Sequence, residues 1–181
     1  MKKTIIVLML VIVAASTAFA SRTIYGFYAS PYSVQSSKGL ADPDKASSVY
    51  GFAAKASYTH VFDAPQFNWN LGAEAALSDY FYANTKNMNA FNILGQVVGG
   101  VNFIDNEKCY AGLDLGFGAN CNVVFGGKSV TFPALTFKVK GVQHLFDNVS
   151  AGVHFEGVVS FKKKAKSAFE FKTFAGIEYS F

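Results

Sequence analysis

From Tyr50 to Phe62 the even positions read Tyr50, Phe52, Ala54, Ala56, Tyr58, His60 and Phe62, while Lys55, Ser57 and Thr59 fall between them. Successive side chains of a strand point to opposite faces, so this alternation describes a strand with one apolar and one polar side. The same arithmetic recurs along the chain. Phe67, Trp69, Leu71, Ala73, Ala75 and Leu77 oppose Asn68, Asn70 and Glu74. Phe91 to Phe103, Leu113 to Phe117, Leu135 to Leu145, Val149 to Phe161 and Phe169 to Phe181 repeat it, and a weaker segment near Thr23 to Ser30 is aromatic on both faces. Ordinary strands run about 5–6 residues. These patterns run about 10–13, the length a tilted strand needs to cross a bilayer. Aromatics stand near both ends of the apolar face (Tyr50 and Phe62, Phe91 and Phe103, Phe169 and Phe181), as two interfacial girdles require. Every Lys, Asp and Glu in these segments has the opposite parity, and the polar exceptions on the apolar side, His60 and Gln143, fall near strand ends.

The start of the chain supplies the compartment. "MKKTIIVLMLVIVAASTAFA" has a basic opening, an apolar run from Ile5 and small residues Ala18 and Ala20 around Phe19. That is a secretory signal peptide with cleavage expected after Ala20, leaving residues 21–181 as one domain. The apolar run is short for a membrane helix. Lys2 and Lys3 leave with the signal, so the formal net charge of +4 loses two units and gives no argument for nucleic acid. No later stretch is apolar and long enough to be a membrane helix.

The connections alternate. "FDAPQF" at Phe62–Phe67, "IDNEK" at Ile104–Lys108 and "FDNV" at Phe146–Val149 are short and rich in turn formers. The connections at 31–48, 78–90, 120–129 and 162–168 are longer. Eight strands with short turns at one end and longer loops at the other predict an all-β fold: an eight-stranded antiparallel up-and-down transmembrane β-barrel, its termini both at the periplasmic end. A closed barrel leaves no sheet edge facing lipid.

Such a chain resembles the small eight-stranded outer-membrane barrels of the OmpA/OmpX type across its whole mature length. In that family the last strand carries a pattern with a glycine, then hydrophobic residues ending in an aromatic, which the barrel-assembly machinery reads. Gly176, Tyr179 and Phe181 fit it; Phe174 stands where a polar residue is expected. The resemblance implies a bacterial outer membrane, outer-membrane lipid as surroundings and a monomer, but an architecture does not fix a function.

Three function classes follow. An eight-stranded barrel is just wide enough to fill with side chains. The lumen-parity set Lys55, Glu74, Gln96, Asp114, Lys138, His154, Glu156, Glu170 and Lys172 mixes both signs, and predicts a paired polar network that plugs it. The barrel then has a structural or surface-interaction role through its loops. A narrow ion or small-solute channel through that network is the alternative. The third class is a lipid-modifying enzyme. The lipid A deacylases among such barrels use a His-x-Ser pair facing lipid, whereas "His154-Phe155-Glu156" has Glu in place of Ser and lumen parity; no nucleophile, base and orienting group come together, and no catalytic residue is assigned. No cofactor or metal site is expected. Cys109 and Cys121 fall at opposite ends of one segment, tens of ångströms apart at about 3.3 Å per residue, too far to bridge. The basic run Lys162, Lys163, Lys164 and Lys166 suits phosphates of an outer-leaflet glycolipid. Loops 31–48 and 162–168 are the candidate surfaces for a ligand.

Overall fold

The computed structural model describes residues 22–36, 48–64, 66–81, 90–124, 129–161 and 168–181. Eight strands follow one another: β1 (Arg22–Ser36), β2 (Ser48–Phe62), β3 (Asn68–Phe81), β4 (Ala90–Asp105), β5 (Cys109–Val124), β6 (Val130–Phe146), β7 (Val149–Ser160) and β8 (Ala168–Ser180). Each pairs antiparallel with its neighbour in sequence, and β8 returns to β1, so the sheet closes. The closure is completed at the chain's end, where Phe181 N donates to Thr23 O at 3.0 Å and Thr23 N to Phe181 O at 3.3 Å.

The alternation in sequence becomes a wall with two faces. Phe27, Leu115, Phe117 and Ile177 point outward and are 59–68% exposed, while Leu94, Val98, Val158 and Phe174 point inward and are at most 2% exposed. A water-soluble protein rarely exposes apolar surface on that scale, whereas lipid asks for it. Aromatics are not confined to rims: Phe27, Phe117, Phe137 and Phe155 stand at mid-strand on the outer face as well.

β1 to β6 run longer than the sequence pattern implied, while β7 and β8 keep the expected length. β1 extends to Ser36, so residues 31–36 of the expected loop 31–48 are strand, and the residues at 37–47 lie outside the described ones. The pattern fades there because of a bulge. Ser30 pairs with Ala53 and Ser33 with Gly51, leaving Pro31 and Tyr32 both outward opposite one residue. Proline, which cannot donate to a ladder, is tolerated at such a place. Ser30 Oγ ties the bulge by donating to Tyr32 O at 2.8 Å. Beyond it the parity reverses, and Ser33 and Gln35 face inward. The turns at the other end are tight: Asp147 and Asn148 alone join β6 to β7.

Candidate functional site

The inward side chains form layers. In the middle, Lys55 on β2 donates to Glu156 Oε2 on β7 at 2.8 Å and stands 3.9 Å from Glu74 Oε1 on β3. Lys138 on β6 reaches Glu74 and, at 2.8 Å, Asp114 Oδ2 on β5. Lys140 takes the other oxygen of Asp114 at 3.0 Å. Gln96 donates to Glu74 Oε2 at 2.9 Å and accepts from Thr136 at 2.5 Å. These residues meet because the register sets them opposite one another: Asp114 faces Lys138, Lys138 faces Glu156, and Glu74 faces Gln96. Burying an ion costs several kcal/mol unless a partner and hydrogen bonds offset it, and here each ammonium has a carboxylate. Lys55 also lies 4.4 Å from the centre of the Phe174 ring. Glycines make the room. A Cβ at Gly116 would sit 2.6 Å from Gln96 Oε1, and one at Gly112 would sit 2.4 Å from Val101 O.

Toward the turns, the Tyr28 and Tyr110 hydroxyls both donate to Glu178, whose Oε1 lies 3.7 Å from His154 Nε2. His154 Nδ1 faces the Lys55 ammonium at 3.3 Å and therefore accepts from it. Below this group Ile24, Val61, Tyr110 and Val142 pack as an apolar layer. The rim beyond is pinned by Arg22, 2.5 Å from Asp105 Oδ2, which also accepts from Asn68 at 3.0 Å and Asn102 at 3.2 Å.

Toward the loops, a second apolar cluster of Ala76, Leu94, Ala134 and Val158 packs beside the ions on β3, β4, β6 and β7, and another polar group lies past it. On β4 it stands between Gln96 and Asn92, and on β7 between Glu156 and Ser160. Past it, Glu170 takes Lys172 on Oε2 at 2.8 Å, and on Oε1 the side-chain amides of Asn120, Asn92 and Gln35 at 2.7, 3.2 and 3.3 Å. Beside them lies a void of about 10 Å³, lined by Gln35, Asn92, Asn120, Asn122, Phe132, Ser160 and Ala168.

All nine lumen residues read from the sequence are buried inside the wall. Lys55, Glu74, Gln96, Asp114, Lys138, His154 and Glu156 gather in the middle; Glu170 and Lys172 form a separate pair. Parity alone missed the rest. Glu178 has lumen parity at the very end of β8, where no partner is visible in sequence. Tyr28 lies in the segment that is aromatic on both faces, Tyr110 lies outside the alternating run Leu113–Phe117, and the bulge hides Gln35.

Other expected residues fall as follows. Gly176 lies where β8 meets β1, and a Cβ there would stand 2.1 Å from Phe27 O. Tyr179 and Phe181 face outward, with Phe181 edge-on to Tyr25 at 5.3 Å between ring centres. Lys162, Lys163, Lys164 and Lys166 lie outside the described residues. Cys109 and Cys121 are free thiols at opposite ends of β5. His60 has outward parity, as expected, yet is only 2% exposed: it packs edge-on to Tyr58 and meets Thr23 Oγ1 at 3.0 Å. His144 and Ser150 come within 2.7 Å as register partners across the β6–β7 turn. Ser150 is buried and no carboxylate is bonded to that imidazole among the described residues, so the pair lacks the orienting group and the access of a nucleophilic site.

No protein-family model matches the sequence, and no curated protein matches it. Solved structures do match its shape. Neisserial surface protein A (NspA) shares 15% identity at a TM-score of 0.64, over 88% of this chain and 97% of that one. Ail, the attachment invasion locus protein of Yersinia pestis, shares 19% identity at 0.52, over 90% and 99%. Ail in complex with the heparin analogue sucrose octasulfate aligns at 0.50 with 19% identity, over 88% and 97%. The chain has the fold of the small eight-stranded outer-membrane β-barrels.

Proposed function

We propose that this protein is an integral barrel of a bacterial outer membrane whose lumen does not conduct, and whose role is structural or one of surface interaction through its longer loops. The observation that carries this is the filling of the lumen: buried ion pairs in the middle, packed between two apolar clusters, Ile24–Val61–Tyr110–Val142 and Ala76–Leu94–Ala134–Val158. A conducting path needs continuous water, and the voids among these lumen side chains, about 10 Å³ each, have room for about one water apiece. In this reading residues 1–20 direct export and are removed, both termini are periplasmic, and the barrel is a monomer in lipid. The assembly machinery reads Gly176, Tyr179 and Phe181. Lys162, Lys163, Lys164 and Lys166 meet phosphates of the outer leaflet, and residues 37–47 are the main surface for a ligand. A polyanionic ligand is a known occupant of Ail, and NspA is a surface protein by name, which supports the surface role.

Planar-bilayer recording tests the lumen. Purified protein should give no discrete conductance; reproducible single-channel steps would favour the channel instead. Mass spectrometry of lipid A after overexpression should show no change, and a lost or added acyl chain would make the barrel an enzyme.

A further inference from the structure

We propose that the void at the loop end of the lumen binds one alkali-metal cation, held by the carboxamide oxygens of Gln35, Asn92, Asn120 and Asn122. The orientation of three of these amides is set by Glu170. Its Oε1 accepts from Gln35 Nε2, Asn92 Nδ2 and Asn120 Nδ2. A carboxylate accepts only from the nitrogen end of an amide, so each of the three carbonyl oxygens is turned away from Glu170. Those oxygens, and that of Asn122, are buried and meet no hydrogen-bond donor among the described residues. The four side chains are 2–6% exposed and line the same void.

Buried acceptors without donors are costly and rare, and four around one void ask for an occupant. The void has the size of one water molecule. A single water has two hydrogens to offer four oxygens. A metal cation has no such limit, and hard cations are held by carbonyl and amide oxygens. The ligand set is neutral, and the charge of Glu170 is already matched by Lys172 on its other oxygen, at 2.8 Å. Sites for divalent cations draw on several carboxylates, so this set suits a monovalent ion. The wider field agrees in sign: among the described residues the buried lumen carries Glu74, Asp114, Glu156, Glu170 and Glu178 against Lys55, Lys138, Lys140 and Lys172, one ammonium short.

Crystals of the membrane-extracted protein, grown with rubidium chloride as the only alkali salt, test the site. One anomalous rubidium peak is expected in the void, contacted by the four oxygens. A void holding only water would overturn the proposal, with no variant needed. Asn122→Leu should abolish the peak. Asn70→Leu, which removes a buried unpartnered amide outside the void, should retain it, and loss in both variants would overturn the assignment of Asn122 as a ligand.

Discussion

At the middle of the lumen Lys138 touches two carboxylates, and Asp114 in turn holds Lys138 and Lys140. At the loop end one ion pair, Glu170 with Lys172, is surrounded by amides whose oxygens meet no donor among the described residues. The two regions share a wall, a depth of burial and a barrel radius. They differ in what completes them. Ions in the middle complete one another, so removing one takes a buried counterion from each of its partners. Amides at the loop end are complete only on their nitrogen side, so the region has spare acceptors and loses less when one is removed. Charge density, rather than burial, sets how strongly each region constrains the barrel.

Lys138→Ala should separate the two regions most sharply. It takes the nearest ammonium from Glu74, which keeps Gln96 and the more distant Lys55, and one of two from Asp114, which keeps Lys140; breaking buried pairs in this way costs about 3–5 kcal/mol. Urea unfolding of the folded barrel in detergent micelles measures it; a loss under about 1 kcal/mol would mean that the middle is wet and behaves like a surface. Leu115→Lys supplies the yardstick, because Leu115 is the outward neighbour of inward Asp114 on β5. A lysine facing lipid near the midplane costs about 2–4 kcal/mol, and unfolding from lipid vesicles reads it. Gly176→Ala tests the seam, where the added Cβ meets backbone of β1. Overpacking of this kind costs about 1–3 kcal/mol, with slower appearance of the heat-resistant folded band on gels. Asn92→Ala, at the loop end, should cost about 1 kcal/mol, since Glu170 keeps its other donors. A loss as large as that of Lys138→Ala would erase the contrast.

The sequence made the wall legible and left its contents partly hidden. Parity is a local property: Lys55, Glu74 and Glu156 show their facing through nearest neighbours alone. Partnership is not local. Lys55 meets Glu156 across 101 positions and Glu178 meets Tyr110 across 68, and nothing in either strand names the other. Polar aromatics mislead as well, since Tyr28 and Tyr110 count as apolar in a strand pattern but act through their hydroxyls. The strand ends were underestimated for a related reason. Residues such as Asn120 and Asn122 look like loop material, yet inside a lumen polar side chains are the ones a strand should carry.

The bulge at Pro31 and Tyr32 has a consequence for how the wall can change. β1 keeps one phase against the ions and another against the amide chamber, and the one extra residue at Pro31–Tyr32 is the phase shifter between them. Deleting either would leave a single outward residue between Ser30 and Ser33, so the alternation would run unbroken, with Gln35 still in the chamber and Val34 still outward. The lower part would not move. The extra residue is therefore slack in the ladder, a place where β1 can shorten by one without turning over either the loop end or the charged middle.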